Sequence, residues 1–277
     1  MTIFIPRKHA PPVGPSYQFP ELDPAGNGNE LLRICTFFDD YALSGNQLRN
    51  IADAASPAVI GGTAYTANPL RTNTYIGRCI EIHPSGGIYG IDNPLYNDIA
   101  SSGDITMLWF GEIRNTGSAH GAFGWRGSGG DSFRVGFNGS DLRVSYIDNS
   151  PAQFNADVTV SPSVGDVYCF VGRKKGNTIT AFAKKFGAGI QSSSTTAGNG
   201  TFRDDGAGNK ISPANTDAGK GHTQPAVFCA WDGALSDALI DQLMTNPRQG
   251  IKPRKTYFML PSAVASGPTL ALQGFPA

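Results

Sequence analysis

Glutamate is almost missing from this chain. Of 22 acidic residues only four are Glu (Glu21, Glu30, Glu81 and Glu112), and the rest are Asp. Glu suits helix interiors, whereas Asp bonds to nearby backbone and suits turns and caps, so the imbalance points to β structure. It also starves one kind of chemistry. Glycoside hydrolysis needs two carboxylates about 5–9 Å apart, and neither Glu nor Asp forms an alternating acidic strand here. Histidine is as sparse: His9, His83, His120 and His222 are scattered singly and read as surface or turn residues. There is no Gly-x-Ser-x-Gly elbow, no phosphate-binding Gly-rich loop and no His-Glu-x-x-His pair. A non-catalytic role is expected.

Charge is scarce too. The 22 Lys and Arg balance the acids, and charged residues make up 16% of the chain. Binding driven by nucleic-acid phosphates needs a positive excess, so a nucleic-acid partner is not expected. No apolar run approaches the roughly 18 residues of a membrane span. The opening "TIFIPRKHAPP" is too short an apolar patch for a signal peptide and is followed by charge. Synthesis in a cytosol, with no membrane partner, is the expectation. The four cysteines (Cys35, Cys79, Cys169 and Cys229) form no CxxC pair, and each sits in an apolar, strand-like run. They read as buried free thiols, because a zinc site wants closer spacing and more histidine.

What the chain does have is glycine and proline, 35 and 19 residues. Six prolines fall between Pro6 and Pro24, which predicts an extended arm over residues 1–30, since proline lacks an amide donor and fixes φ. From Glu30 onward short β-type runs alternate with turn clusters. The clearest hairpin is "DSFRVGFNGSDLRVSYID", with Phe133, Val135 and Phe137 alternating before Asn138-Gly139 and Leu142, Val144 and Tyr146 after it. A second hairpin turns between Lys174 and Asn177. The polar, Gly-rich stretch from Gly187 to Gln224 reads as a long loop, either floppy or decorated.

One segment is helical. Ser236 is a good N-cap, Asp237 places negative charge in the first turn, and Leu235 and Ile240 are spaced for a hydrophobic staple. Leu239/Leu243 and Ile240/Met244 give one apolar face, and Asn246-Pro247 ends it. The spacing predicts a helix over 237–245.

That ending, "WDGALSDALIDQLMTNPRQGI", is similar to the close of laminin-G-like, concanavalin-A-like jelly-roll domains in tailed-phage proteins. There a strand, Trp and turn lead into "LSDAEI", a short helix and an Asn-Pro-Trp-Gln stop. Trp231, Leu235, Ser236, Asp237, Ile240, Leu243, Asn246, Pro247 and Gln249 fit, while Arg248 stands where Trp is usual. "DDYALSGNQLRN" resembles the early D-L-S-G-N-x-N turn of the family, and "MTIFIPRKHAPP" looks like the basic-proline leader of its phage members. The resemblance implies an all-β, antiparallel β-sandwich (jelly roll) over residues 31–250, with the helix closing one edge or end. Residues 1–30 would be an extended arm and residues 251–277 an extended tail. It implies a non-enzymatic structural protein of a tailed-phage virion, a surface-displayed, lectin-like module on head or tail, assembled in the host bacterial cytoplasm. The alternative is a carbohydrate-binding adhesin for host envelope glycans, with or without Ca²⁺. A glycan hydrolase comes third: the glucanases of the wider fold carry a Glu-x-Asp-x-(x)-Glu strand, which is lacking here.

Candidate positions follow from residue chemistry. Asp92 and Asp98, with Asn93, Asn97 and Asp104, and then Asp204 and Asp205, with Asn209, are oxygen-rich turns that either hold Ca²⁺ or are solvated connectors. Carbohydrate binding wants an aromatic platform, for which Trp125, Tyr89 and Tyr96 are candidates, whereas Trp109 lies in a core-like run. For anchoring to other virion proteins of the capsid or tail, the candidates are Phe4, Ile5, Arg7, Lys8, Tyr17 and Phe19 in the arm and Arg254 and Lys255 in the tail. The other reading makes both segments solvated straps on the sandwich. An oligomer, preferentially a trimer, would add avidity.

Overall fold

Period-two alternation sets the architecture. The computed structural model describes residues 30–37, 43–44, 47–48, 50–53, 58–60, 70–74, 77–81, 91–92, 103–113, 116, 120–127, 130–138, 140–147, 152–197, 210–212 and 223–247. The strands in chain order are β1 (Leu32–Phe37), β2 (Leu43–Ser44), β3 (Gln47–Leu48), β4 (Ala58–Ile60), β5 (Leu70–Thr74) and β6 (Gly77–Glu81). Next come β7 (Ile91–Asp92), β8 (Ile105–Ile113), β9 (His120–Gly127), β10 (Gly130–Asn138), β11 (Asp141–Ile147) and β12 (Gln153–Thr159). The last are β13 (Val167–Lys175), β14 (Thr178–Lys185), β15 (Ile190–Thr196), β16 (Lys210–Ser212) and β17 (Thr223–Trp231).

They assemble into two large antiparallel sheets. One has six strands in the order β1-β17-β8-β13-β14-β15, the other nine in the order β12-β11-β10-β9-β16-β7-β4-β3-β2, and β5-β6 form a separate pair. The predicted hairpin is β10–β11. Phe133 faces Tyr146, Val135 faces Val144 and Phe137 faces Leu142, and the ladder closes at Asn138 opposite Asp141, one position later than an Asn138-Gly139 centre. The chain is an antiparallel β-sandwich with one short helix among the described residues, as expected.

Two apolar layers hold it. The first lies between the sheets, where Ile105, Met107 and Trp109 of β8 and Phe170 of β13 meet Phe133, Val135, Val144 and Tyr146 of the nine-stranded sheet. Trp109 stacks on Phe170 at 5.0 Å between ring centroids, and Phe170 stacks on Tyr168 at 5.2 Å. Trp109 is core, as its apolar run indicates. Gly172 is required at the closest approach: a Cβ there would lie 2.5 Å from Val135 Cγ2 and 3.1 Å from Val144 Cγ2.

The second layer covers the other face of the six-stranded sheet, so β8 is apolar on both sides, with Leu108 pointing away from Trp109. Leu108, Val171, Cys169 and Cys229 share this cluster with Leu235, Ile240, Leu243 and Met244. The helix, Asp237–Thr245, has its predicted bounds. Its position differs from the expectation of an edge or end. It lies over the outer sheet face, because Val171, Phe182 and Cys229 leave that face apolar and it must be covered. Each large side chain so buried contributes roughly 1.5–3 kcal/mol.

The stretch read as one long loop also differs. Ile190–Thr196 pairs in full with β14, from Ile190 opposite Lys184 to Thr196 opposite Thr178. It is an edge strand, and its Ser and Thr side chains are largely exposed. That explains why its polarity resembles a loop.

Candidate functional site

Two built features stand out among the described residues. The first is a polar row on the outer face of the nine-stranded sheet. Leu142, Val144 and Tyr146 point into the core, so Asp141, Arg143 and Ser145 must face outward. Register sets Arg143 opposite Asp157 and Ser145 opposite Asn155. The Arg143 guanidinium donates two bonds to the Asp157 carboxylate, 2.7 Å from Nε and 2.8 Å from Nη2. The hydrogen bond to Asp157 raises the Arg143 pKa, burial opposes it, and the charges of Asp157 and Asp141 add to the rise. Beside this pair Ser145 Oγ donates to Asn155 Oδ1 at 2.8 Å, and Gln153 Nε2 donates to the same oxygen at 3.0 Å. The row offers guanidinium, carboxylate and amide groups on the sheet face, while Ser145 itself is buried. Such groups exchange hydrogen bonds with polar ligands, and they include no activated nucleophile.

The second feature is the strapped turn and helix. Thr106, fully buried, accepts from Leu235 N at 3.0 Å and donates to Gly233 O at 2.9 Å, closing the turn after Trp231. Gly233 has φ +148°, and a Cβ there would meet Leu31 Cδ1 at 3.0 Å. Ser236 Oγ accepts from Leu239 N at 3.3 Å, so the predicted cap is formed. Arg173 of β13 holds the start of the helix, donating to Leu235 O at 2.8 Å and pairing with Asp237, while its guanidinium lies over the Phe182 ring. Lys184 of β14 holds the other end through Thr245 Oγ1 at 2.6 Å. The helix is tied at both termini to the sheet beneath it.

A smaller cluster lies where Lys174 Nζ donates to Gly103 O at 2.7 Å and Gly176 O at 2.9 Å, with Gly176 N donating to Asp104 Oδ1 at 2.7 Å. Burial lowers the Lys174 pKa, and the Asp104 charge partly restores it. Asp104, one of the oxygen donors considered for Ca²⁺, thus closes a turn beside an ammonium group. Among the described residues no three His, Cys, Asp or Glu side chains come together as a metal-binding group. At another point Asp166 pairs with Lys185 at 2.7 Å.

The sequence candidates fall as follows. Asp92 lies in β7, opposite Lys210 and Val59. Trp125 lies in β9, opposite Phe133 and Ile211, so its surroundings are paired strand rather than the loop its glycines suggest. The side chains of both are outside the described part. Asp98, Asp204, Asp205, Tyr89, Tyr96, Phe4, Ile5, Arg7, Lys8, Tyr17, Phe19, Arg254 and Lys255 lie outside the described residues altogether. Sequence reasoning missed the Arg143–Asp157 pair and the Arg173 and Lys184 straps. A signal exists for the first: once the β10–β11 hairpin is recognised, Arg143 falls on its polar face.

No family model and no curated protein matches this chain. Solved structures do. The binding domain of botulinum neurotoxin DC, in complex with SialylT, superposes with a TM-score of 0.55 at 9% identity, over 78% of this chain and 51% of that one. The binding domain of Paraclostridial Mosquitocidal Protein 1 gives 0.54 at 8% identity, over 78% and 52%. Trypanosoma rangeli sialidase gives 0.54 at 12% identity, over 79% of this chain and 33% of the enzyme. The chain therefore spans about half of each toxin binding domain and a third of the sialidase. At these identities the similarity is one of fold, a β-sandwich.

Proposed function

We propose that this chain is a non-enzymatic display module of a tailed-phage virion, on head or tail. Its sandwich projects outward, and its terminal segments engage neighbouring virion proteins. The observation that carries this reading is the strapped turn and helix. Trp231, Leu235, Ser236, Asp237, Ile240 and Leu243, the residues that resemble the phage jelly-roll ending, form one packed and capped unit. Four described carboxylates, Asp157, Asp166, Asp232 and Asp237, are committed to Arg or Lys partners, which suits a scaffold better than a hydrolase. A trimer suits the reading, because repeated anchors on a symmetric particle add avidity. Gold-labelled antibody on intact particles tests it, and unlabelled particles would refute a virion location. Deleting residues 2–24 should leave a cooperatively melting sandwich that no longer co-sediments with particles. Unchanged incorporation would refute anchoring through the arm.

The polar row favours a second reading, binding of host-envelope glycans. Hydroxyl-rich ligands exchange hydrogen bonds with groups like Gln153, Asn155 and the Arg143–Asp157 pair, and the similar botulinum domain is itself in complex with SialylT. A glycan array run with wild type, Arg143→Ala and added chelator tests this. Binding lost in the variant places the ligand on the row, binding lost with chelator makes it Ca²⁺-dependent, and no binding refutes the reading.

A further inference from the structure

Antiparallel register brings two cysteines together from opposite ends of the described chain. Cys35 of β1 and Cys229 of β17 are direct partners across the ladder, 194 residues apart in sequence. Partners directly opposite one another in a sheet share a face. Their sulfurs are 3.4 Å apart, with the Cys229 S–H donating to Cys35 Sγ. The ladder type can be read from the backbone. Cys35 N–H donates to Asn50 Oδ1 at 3.0 Å, and Cys35 C=O accepts from Ile51 N at 2.8 Å. Both main-chain groups thus point away from β17, which makes Cys35–Cys229 a non-hydrogen-bonded pair. Such pairs have the closer Cα atoms, about 4.5 Å apart, at the short end of the roughly 4.4–6.8 Å that a disulfide spans.

We infer that Cys35 and Cys229 are a built-in oxidation site that closes into a disulfide between β1 and β17, neighbours in the six-stranded sheet and, in chain order, its first and last strands. Both thiols are free and buried, and both sit in the apolar layer that contains the helix residues Ile240, Leu243 and Met244. Closing the sulfur gap to a bond takes about 1.4 Å of approach, a shift that side-chain rotation supplies without moving either strand. The inference does not depend on the virion reading.

The chemistry balances with a small-molecule disulfide such as oxidised glutathione as oxidant. The Cys35 thiol loses its proton and attacks one glutathione sulfur, and the S–S bond breaks to expel a glutathione thiolate, which takes up that proton. The Cys229 thiol then loses its proton and attacks Cys35 Sγ, expelling the second thiolate, which is protonated in turn. Two protein thiols are oxidised and one disulfide is reduced to two thiols. Cys35 is the entry point because β1 is the sheet edge, flanked only by the short Asn50–Ile51 contact among the described residues. The bond to Cys35, then burial, holds the Cys229 thiol well above the usual thiol range. The pair therefore stays reduced while β1 is docked and reacts when the edge opens.

Cys169 is a competing thiol within the same layer. It partners Phe110 on β8 and so sits diagonally to the pair, and burial raises its thiol pKa. Its presence makes the site assignment testable. The reduced full chain is incubated with oxidised glutathione, with and without urea below the unfolding transition. It is then alkylated, digested without reduction and mapped by mass spectrometry. The expected product is a single peptide pair joining Cys35 to Cys229, two hydrogens lighter than the reduced peptides. For so long a loop the melting temperature should rise by about 10 °C and fall back on adding dithiothreitol. Cys35→Ser and Cys229→Ser each abolish link and shift, and Cys169→Ser keeps both. If a serine variant fails to fold, peptide mapping of the wild type still decides the pairing. Thiols that stay fully alkylatable even in urea overturn the inference, as does a dominant link involving Cys169 or Cys79, or a Cys35–Cys229 link with no rise in stability.

Discussion

Asn50 offers the sharpest test of how the edge of the six-stranded sheet is held. Its side chain is completely buried and makes three bonds: Oδ1 accepts from Cys35 N at 3.0 Å and Ala52 N at 3.1 Å, and Nδ2 donates to Arg33 O at 3.0 Å. Asn50→Ala deletes all three. Ala52 is only partly buried, so its amide regains a bond to water. The Cys35 amide and Arg33 carbonyl face the vacated space, and an orphaned buried group costs about 1–3 kcal/mol. With some water entering, the expected loss is about 3 kcal/mol, or about 10 °C in melting temperature for a domain of this size. The assay is urea unfolding followed by tryptophan fluorescence, with an unchanged slope and a lower midpoint. Asn50→Asp adds a check on sign. Its carboxylate keeps both amide bonds but turns an oxygen toward the Arg33 carbonyl, so burial and repulsion raise the folded pKa. The penalty is absent below the unfolded value of about 4 and grows as pH rises through the folded one. This variant should approach wild type in acid and fall behind it at neutral pH. A loss in Asn50→Ala under about 0.5 kcal/mol would refute the reasoning.

Other outcomes follow from the packing and the straps. Gly172→Ala drives a methyl against Val135 and Val144, both at most 1% exposed; overpacking of this kind costs about 1–3 kcal/mol, and a neutral effect in chemical denaturation would mean the sheets are not in close contact there. Arg173→Met removes the bond to Leu235 O and the pair with Asp237. It should speed amide exchange across 235–245 while leaving the β10–β11 ladder protected, and uniform exchange changes would refute a local strap. Burial alone would raise the Asp166 pKa, but bonds from Lys185 and Ser163 N and the Lys185 charge outweigh it and leave it lowered. The stability this carboxylate contributes is present above the ordinary carboxyl pKa of about 4 and is lost as pH falls through the lower folded value. Asp166→Asn should therefore flatten the acid limb of a melting-temperature profile; an unchanged limb would rule the pair out as a contributor.

Features set by near neighbours in the chain could be read directly from the residues. The helix bounds, the Ser236 cap and the stop at Asn246-Pro247 were legible because capping, staple spacing and proline geometry act within a few residues. The β10–β11 hairpin and its alternating apolar faces were legible from the residues on either side of the turn, while its register, one position later than an Asn138-Gly139 centre, was set by the paired strands. Free, buried cysteines followed from the apolar runs around Cys35, Cys169 and Cys229. The remaining features depend on how distant segments meet. Ile190–Thr196 is a strand because β14 offers it an edge, although its own composition resembles a loop. The helix lies on a sheet face because β17, β8, β13 and β14 together present an apolar surface there. Asn50 has its two partners on β1, Gly172 its neighbours across the sandwich, and Cys35 its sulfur contact with Cys229 through contacts distant in sequence. No local pattern encodes such contacts, because they form only where whole sheets are brought together by the burial of apolar surface from many segments at once.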